Sequence, residues 1–208
     1  MLRIETIVNG MLSNNTYLVI NEKNEAIIID PSSGVERITE TVAQHGCKVK
    51  YILLTHAHYD HFMGLDPIQR EYQCNVYIHK SIKSYLKDAS LNLSSTSPIT
   101  RRKELISYVK PKTFTEGKLE LEGFDCQVFF NPGHTKGCSS FIFDNEWMFS
   151  GDFLFKGTIG RTDFFDSNLQ ALKDNLVRLS EAYTNLKVLP GHGPATTLKS
   201  ERKNNPFL

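Results

Sequence analysis

The sequence predicts an α/β (α+β) fold in which helices cover a mixed β-sheet. The first observation is that residues 3–8 and 16–20 are rich in Ile, Val, Leu and Tyr, a composition typical of β-strands. The second is that a short apolar run at residues 26–30 is followed by a proline and then by a helix-forming segment at residues 35–45. Strands first and strand–helix units afterwards are typical of a mixed sheet with helices on its faces.

The remaining elements continue this order. Residues 49–54 and 75–79 are predicted strands, and between them Asp66 is predicted to cap a helix that runs to about residue 72. Residues 81–112 are predicted to be mostly helical but polar, with a Ser/Thr-rich break at residues 94–97. The C-terminal half is predicted to hold one helix with an apolar stripe and six short strands, namely helix 168–182 and strands 113–115, 118–122, 126–130, 139–143, 146–150 and 186–189.

Length and composition predict a single globular domain over residues 1–208, with 40% hydrophobic and 23% charged residues. The formal net charge of +1 gives no electrostatic reason to expect a nucleic acid or a membrane surface as partner. No window resembles a signal peptide or a membrane span, so we expect a cytoplasmic protein, either a monomer or a homodimer. Four scattered cysteines without a Cys-x-x-Cys pair predict free thiols, and the polar tail around Arg202 is predicted to be a solvated terminus.

The most specific feature is a histidine-rich run, Thr55-His56-Ala57-His58-Tyr59-Asp60-His61. It places four side chains that bind metals within six residues, and zinc and similar divalent ions bind His nitrogen and Asp oxygen readily. The run begins where the strand at 49–54 ends, and ligands of α/β sheets gather at the carboxyl ends of strands. A histidine-rich surface loop is the alternative, but the residue types and their position favour a metal site.

Three further candidate ligands follow predicted strands and lie beside glycines: His134, Asp152 and His192. Glycine permits a tight backbone and a close approach to an ion. Together with the histidine-rich run they supply seven protein ligands, about what two four- or five-coordinate ions need if Asp152 bridges them and water completes the coordination. We therefore expect two divalent metal ions, with zinc favoured and iron or manganese as alternatives.

The pattern His56-x-His58-x-Asp60-His61, followed by His134, Asp152 and His192, resembles the metallo-β-lactamase superfamily over nearly the whole chain. The resemblance implies an αββα sandwich, in which two mixed β-sheets pack face to face with helices on the outer faces. It also implies a division of the ligands between two ions: His56, His58 and His134 on the first, Asp60, His61 and His192 on the second, and Asp152 on both.

Two segments around Asp152 resemble glyoxalase II and its short bacterial relatives, the hydroxyacylglutathione-hydrolase-like proteins: Gly151-Asp152-Phe153-Leu154-Phe155 and Ile159-Gly160-Arg161-Thr162-Asp163-Phe164. This resemblance implies hydrolysis of a small-molecule thioester such as S-lactoylglutathione by a hydroxide that bridges two metal ions. Asp60 and Asp152 are then the catalytic carboxylates. A thiol leaving group fits this expectation, because a thiolate with a pKa near ~8.5 departs without a general acid.

Arg161 is the predicted substrate-binding residue, because a matching basic residue in glyoxalase II helps to bind glutathione. The alternative is a surface arginine paired with Asp163 or Asp166. The chain departs from full-length glyoxalase II in that Asp163 and Phe164 stand where that enzyme has a tyrosine, and we expect it to lack the C-terminal helical domain of that enzyme. These departures leave open another low-molecular-weight thiol or a broad range of thioesters. Cys138 matches no ligand position and is predicted to be a buried thiol.

Three other functions remain open at this stage. The first is a persulfide dioxygenase of the same superfamily, with one iron held by the residues that match His56, His58 and either Asp152 or His134. The second is a hydrolase of other esters, lactones, β-lactams or phosphodiesters, although true β-lactamases usually carry Cys or Ser at the position of Asp152. The third is a scaffold that holds metal for a partner without catalysis, which a complete ligand set makes the weakest of the three.

Overall fold

The computed structural model describes residues 1–10, 12–101 and 103–208, and the chain divides into two compact units. The N-terminal unit comprises Met1–Phe114 and the C-terminal unit comprises Thr115–Leu208. Each unit contains one six-stranded mixed sheet with its own helices, as the sequence predicts. No helix among the described residues is both long enough and apolar enough to span a membrane.

The sheet of the N-terminal unit has its strands in the order β1-β2-β3-β4-β5-β6. The first three are antiparallel neighbours and the last four are parallel neighbours. This mixture follows from the chain, since the antiparallel neighbours are only a few residues apart in sequence, whereas the parallel neighbours are separated by longer crossover segments. The strands are β1 (Arg3–Asn9), β2 (Asn14–Ile20), β3 (Glu25–Ile29), β4 (Lys48–Leu53), β5 (Asn75–His79) and β6 (Lys112–Phe114).

The helices of this unit are α1 (Val35–His45), α2 (Tyr59–Phe62), α3 (Leu65–Tyr72) and a 3₁₀ helix (Lys80–Lys87). The apolar face of α1, with Ile38 and Val42, packs in the same buried cluster as Ile28 and Ile52 of the central strands. Burial of apolar surface on these faces stabilises the packing of the helix on the sheet by about 25 cal/mol per Å². This packing fixes the positions of β3 and β4, and the carboxyl ends of the two strands lie at one edge of the sheet.

The sheet of the C-terminal unit has the order β14-β13-β10-β9-β8-β7. Strand β13 pairs with β10 in parallel, and the neighbouring pairs are antiparallel. Leu172, Leu176 and Leu179 of α4 form a buried cluster with Phe153 and Val188, which confirms the predicted apolar stripe. The elements are β7 (Gly117–Leu121), β8 (Phe124–Phe130), β9 (Ser139–Phe143), β10 (Trp147–Gly151), β11 (Leu154–Phe155), β12 (Thr158–Ile159), α4 (Leu169–Ala182), β13 (Lys187–Pro190), β14 (Thr196–Thr197) and α5 (Leu198–Asn204).

The segment after β5 corrects one prediction. Helix is confined to the 3₁₀ turn at Lys80–Lys87, and residues 89–101 and 103–111 form turns and irregular chain. Side chains satisfy the backbone there instead of a helical ladder: the Asn92 amide donates to the carbonyls of Tyr85 and Leu105, and Ser94 Oγ accepts from the Leu105 N–H. Such local side-chain bonds compete with helix formation, so a Ser-, Thr- and Asn-rich stretch favours a loop.

The start of α3 and the C-terminal tail differ from two further predictions. Helix α3 begins at Leu65 after Gly64, and the Asp66 carboxylate accepts a hydrogen bond from the Tyr108 N–H instead of capping the helix. The tail keeps the basic side chains Lys199, Arg202 and Lys203 exposed to solvent, as predicted, but it forms the helix α5. Buried Glu201 on that helix accepts hydrogen bonds from the Gly157 N–H at 2.7 Å and from Thr196 Oγ1 at 2.6 Å, which fastens the tail to its own unit.

Candidate metal centre

Four predicted ligands of the N-terminal unit lie directly after β4. That strand ends at Leu53, and the chain continues through His56 and His58 into α2, which carries Asp60 and His61. All four side chains are buried. Burial of imidazoles and a carboxylate costs free energy unless they are hydrogen-bonded or bound to an ion, so a buried set of this kind is typical of a metal site.

The distances between donor atoms in this cluster fit a bound ion. Nε2 of His56 lies 3.2 Å from Nδ1 of His58. Two nitrogen ligands at about 2.0–2.1 Å from a tetrahedral zinc ion lie about 3.3 Å apart, so these imidazoles have the spacing of two ligands on one ion. Nε2 of His61 and Oδ2 of Asp60 lie 3.8 Å apart, slightly beyond that spacing. The donor types and their separations therefore suit a divalent cation.

Asp30 is a residue of this cluster that the sequence analysis missed. It is buried, follows β3, and has a positive φ of 50°, a conformation that Asp adopts more readily than most residues. Its Oδ2 lies 2.9 Å from Nδ1 of His61 and accepts from Thr55 Oγ1 at 2.6 Å, while Oδ1 accepts from the Thr55 N–H at 2.8 Å. A carboxylate on Nδ1 fixes the ring and directs Nε2 toward an ion, which is a supporting role and not that of a ligand.

The position of Asp30 was the signal that could have revealed this role. Strands β3 and β4 are parallel neighbours, so Asp30 and Thr55 emerge at the same edge. Asn14, at the start of β2, is a second supporting residue without a sequence prediction. Its amide donates to Oδ2 of Asp60 at 3.0 Å, and both side chains are buried. A neutral donor on this oxygen stabilises the ionised carboxylate, the form that binds a metal.

The predicted ligands of the C-terminal unit come from three separate strands. His134 follows β8, Asp152 follows β10 and His192 follows β13. Strand β13 is parallel to β10, and β8 runs in the same direction as β10 because each is antiparallel to β9. The carboxyl ends of all three strands therefore lie at one edge of the sheet, where ligand sites of such sheets form.

One oxygen of Asp152 faces both histidines of this unit. Oδ2 lies 3.5 Å from Nε2 of His134 and 3.7 Å from Nε2 of His192. His134 is buried, and Asp152 and His192 are half-buried. This arrangement suits a carboxylate that binds two ions, each of which also binds one histidine.

The surroundings of His134 are built mainly from backbone. Its Nδ1 lies 2.8 Å from the carbonyl oxygen of Arg161, and its own carbonyl accepts from Ser167 Oγ at 2.6 Å. The ring of Phe164 packs edge-on against the imidazole at 5.4 Å between centroids. A Cβ atom on Gly160 would lie 1.9 Å from the carbonyl oxygen of Asp152, so only glycine fits between these two ligands.

The Arg161 side chain pairs with its neighbour in the loop. Its Nε and one terminal nitrogen donate to the two oxygens of Asp163 at 2.9 and 2.8 Å, and the guanidinium lies over the Phe164 ring at 4.6 Å. The hydrogen bond from Arg161 lowers the pKa of Asp163, and the same bond raises the pKa of Arg161. The structure thus contains the ion pair that the sequence analysis weighed as an alternative, and substrate binding by Arg161 stays a prediction.

Cys138 is a buried thiol, as predicted. Burial raises its pKa to about 12, and its Sγ lies 3.2 Å from Thr135 Oγ1. A thiol in this environment is neutral at physiological pH and is neither a nucleophile nor a metal ligand.

Comparisons with known proteins agree with this geometry. A family model described as the metallo-beta-lactamase superfamily matches residues 9–192, a range that includes all seven predicted ligands. The chain is 35% identical over 207 residues to the "Probable metallo-hydrolase YqgX" of Bacillus subtilis, an alignment that covers 96% of this chain and 94% of the relative. It is 28% identical over 214 residues to the "Hydroxyacylglutathione hydrolase GloC" of Haemophilus influenzae, with 100% of this chain and 98% of the relative covered.

Two solved structures show the same fold. The BLEG-1 B3 metallo-beta-lactamase superposes with a TM-score of 0.93 at 31% identity, covering 99% of both chains. A structure of TTHA1623 in a di-iron-bound form superposes with a TM-score of 0.84 at 32% identity, covering 98% of this chain and 100% of the other. These likenesses confirm the fold class predicted from the sequence.

Proposed function

The chain belongs to the metallo-β-lactamase superfamily, and from this membership we propose that it is a metal-dependent hydrolase of thioesters. The observation that carries the proposal is the position of Asp152, one oxygen of which faces His134 and His192 at 3.5 and 3.7 Å. A carboxylate so placed is what a dinuclear hydrolytic site requires as a bridge.

The proposed ligand assignment is the one that the family resemblance implies. By this assignment the first ion would be held by His56, His58 and His134, the second would be held by Asp60, His61 and His192, and Asp152 would contribute to both. The spacing of His56 and His58 supports the first group, since 3.2 Å between their nitrogens suits two ligands of one ion. The contact between Asp30 and Nδ1 of His61 supports the second group. Histidines that bind a metal through one ring nitrogen usually have such a partner on the other ring nitrogen.

Two divalent ions in such a site polarise a carbonyl group and lower the pKa of a water molecule to about 7, which makes a nucleophile available at neutral pH. The side chains of the protein position the groups that take part in the reaction. The Asn14 amide donates a hydrogen bond to Oδ2 of Asp60 and fixes the orientation of this carboxylate, which would in turn orient the attacking water. The ring of Phe155 packs edge-on to His192 at 6.1 Å and restricts the orientation of that imidazole.

A thioester fits this residue set better than an ester or an amide. A thiolate leaves without protonation, because the pKa of a thiol is near ~8.5, whereas an alkoxide or an amide anion needs a general acid. The 28% identity to a hydroxyacylglutathione hydrolase over the full chain supports the same substrate class. We place Arg161 at the thiol end of the substrate, since it lies in the loop that contacts His134.

We propose zinc as the physiological ion, with iron as the first alternative. Imidazole and carboxylate ligands accept either, and availability decides between them. TTHA1623, at 32% identity, was described in a di-iron-bound form, which supports keeping iron in the comparison.

Metal content and thioester hydrolysis on the same sample test the proposal. We expect about two ions per chain by elemental mass spectrometry and rapid hydrolysis of S-lactoylglutathione, both lost on chelation and restored by zinc. Two ions without hydrolysis of any thioester would overturn the substrate class and keep the metal site. One iron per chain, with oxygen consumed on glutathione persulfide, would replace hydrolysis by persulfide oxidation.

Hydrolysis of β-lactams is the second candidate. The TM-score of 0.93 and 31% identity to a B3 metallo-beta-lactamase favour it. The aspartate at position 152 argues against it, because β-lactamases usually carry Cys or Ser there. A chromogenic cephalosporin assayed beside S-lactoylglutathione decides the order, and a larger kcat/KM for the cephalosporin would reverse our choice.

A further inference from the structure

The loop that contacts His134 carries a paired arginine and aspartate. The guanidinium of Arg161 meets both oxygens of Asp163 in a forked geometry at 2.9 and 2.8 Å. Both side chains are exposed, with 69% and 65% of their surface open to solvent, so the pair faces the medium from which a substrate arrives. A forked arrangement uses the same donors that would bind a carboxylate of a ligand.

This pair is held close to a predicted metal ligand. The Arg161 carbonyl lies 2.8 Å from Nδ1 of His134, and the Phe164 ring contacts both the guanidinium and the imidazole. The two ring distances, 4.6 and 5.4 Å, place the guanidinium within about 10 Å of the imidazole. An extended tripeptide spans about 10 Å, so a thiol of that size bound at the ligand would reach the pair.

We propose that Asp163 determines the specificity of the enzyme by occupying Arg161. The inference rests on the proposed thioester hydrolysis and concerns the thiol half of the substrate. A thiol that bears a carboxylate must displace Asp163 from the guanidinium and must also approach a second negative charge. A thiol without a carboxylate meets neither obstacle, so the preferred substrates are thioesters of uncharged thiols. S-lactoylglutathione is therefore a poorer substrate than a lactoyl thioester of an uncharged thiol.

The exposure of the Arg161–Asp163 ion pair to solvent limits the size of its effect on KM. An exposed ion pair changes a binding constant by up to about fivefold, because water and salt screen it. We therefore expect Asp163 to raise the KM for a carboxylate-bearing thioester about three- to fivefold. The effect on kcat is small, because neither residue contacts the carbonyl that reacts.

The test compares two thioesters of the same acyl group. S-lactoylglutathione carries carboxylates on its thiol, and the S-lactoyl ester of N-acetylcysteamine carries none. In the metal-loaded Asp163→Asn variant we expect the KM for S-lactoylglutathione to fall about three- to fivefold and the KM for the uncharged thioester to stay within twofold. The gain should shrink in 0.5 M salt, a response that a purely structural role of Asp163 would not give.

Two variants serve as controls. Asp174→Asn removes the same charge from the exposed face of α4, where Asp174 accepts a hydrogen bond from Gln170 at 2.8 Å, and it should leave both KM values unchanged. The double variant Arg161→Gln with Asp163→Asn should lose the gain, because the donors that Asp163 releases are then absent.

The outcomes separate the two proposals. Unchanged KM values for both thioesters in Asp163→Asn, with wild-type turnover intact, would overturn the role of Asp163 and leave thioester hydrolysis standing. A similar gain for the uncharged thioester would also overturn it, since the effect would not depend on the carboxylate. Hydrolysis of neither thioester by the wild-type protein would overturn both proposals together.

Discussion

The two sets of predicted metal ligands, one in each unit, are supported by different means. In the N-terminal unit, His61 is held by a side chain, the buried carboxylate of Asp30 at 2.9 Å. In the C-terminal unit, His134 is held by the main chain, the carbonyl of Arg161 at 2.8 Å. A carboxylate partner carries a full negative charge and so raises the basicity of the imidazole more than a neutral carbonyl does, while both fix the orientation of the ring.

The difference also determines which residue types each unit requires. Asp30 needs the parallel pairing of β3 with β4, which brings its carboxylate to Thr55 and His61. The C-terminal unit needs space instead, since Gly160 lies against the backbone of Asp152. A charged hydrogen-bond partner therefore supports the N-terminal set, and close steric packing supports the C-terminal set. Single substitutions can test the two kinds of support separately.

Asp152→Ala is expected to have the largest effect. It removes the oxygen that faces both His134 and His192, so we expect the metal content to fall below two ions per chain and kcat/KM to fall about a thousandfold or more. Elemental mass spectrometry and thioester hydrolysis measure the two effects. Asp125→Ala, on an exposed position of β8, is the matched control. Two ions and the full rate in Asp152→Ala would refute the bridging role.

Asp30→Asn tests the side-chain support. The amide keeps the size of the residue but loses the charge behind His61, so we expect metal affinity to fall about 10- to 100-fold. The buried Thr55 donors lose part of their hydrogen bonding, and the free energy of unfolding of the metal-free protein should fall by about 1–3 kcal/mol. Competition with a chromophoric chelator and urea unfolding measure these effects. Glu25→Gln, at the other end of β3, should leave the affinity unchanged. Equal affinities in the two variants would remove Asp30 from the site.

Gly160→Ala tests the steric support of the C-terminal set. The new Cβ would lie 1.9 Å from the Asp152 carbonyl oxygen and 3.1 Å from Nδ1 of His134, so the backbone must shift. We expect a loss of about 1–3 kcal/mol in the free energy of unfolding and about tenfold weaker metal binding. Gly157→Ala is the control, because its Cβ meets open space at a φ of +75° and should cost about 1 kcal/mol in stability with no change in affinity. Equal metal affinity in the two variants would contradict the steric argument.

The local parts of the fold were predictable from the sequence. The helix at 35–45 and the strands at 75–79 and 139–143 have the predicted bounds, because periodicity and flanking glycines act over a few residues. The same holds for the histidine-rich run, whose members are neighbours along the chain. Most of the segment after β5 was wrongly predicted to be helical, because the hydrogen bonds by which Asn92 and Ser94 satisfy its backbone extend the loop well beyond the Ser- and Thr-rich break at 94–97.

The non-local parts were harder to predict, and Asp30 shows why. Its sequence context is a strand end before a proline, which many aspartates share. Its role depends on the pairing of β3 with β4, and that pairing brings together residues 25 positions apart. Glu201 is a similar case, since its partner Gly157 lies 44 positions away, in the turn of the β11–β12 hairpin. Contacts of this kind are specified by topology, and a single sequence gives little information about them.

Arg161→Ala is expected to have the smallest effect and isolates the main-chain support. The atom that holds His134 is the carbonyl oxygen of residue 161, which the substitution keeps, so we expect metal affinity to stay within about twofold of the wild type. The KM for S-lactoylglutathione should rise no more than about threefold, because Asp163 already engages the guanidinium in the wild type. Chelator competition and steady-state kinetics measure both. A tenfold loss of metal affinity would mean that the side chain, through Asp163 and Phe164, positions the loop, and the contrast with Asp30 would then fail.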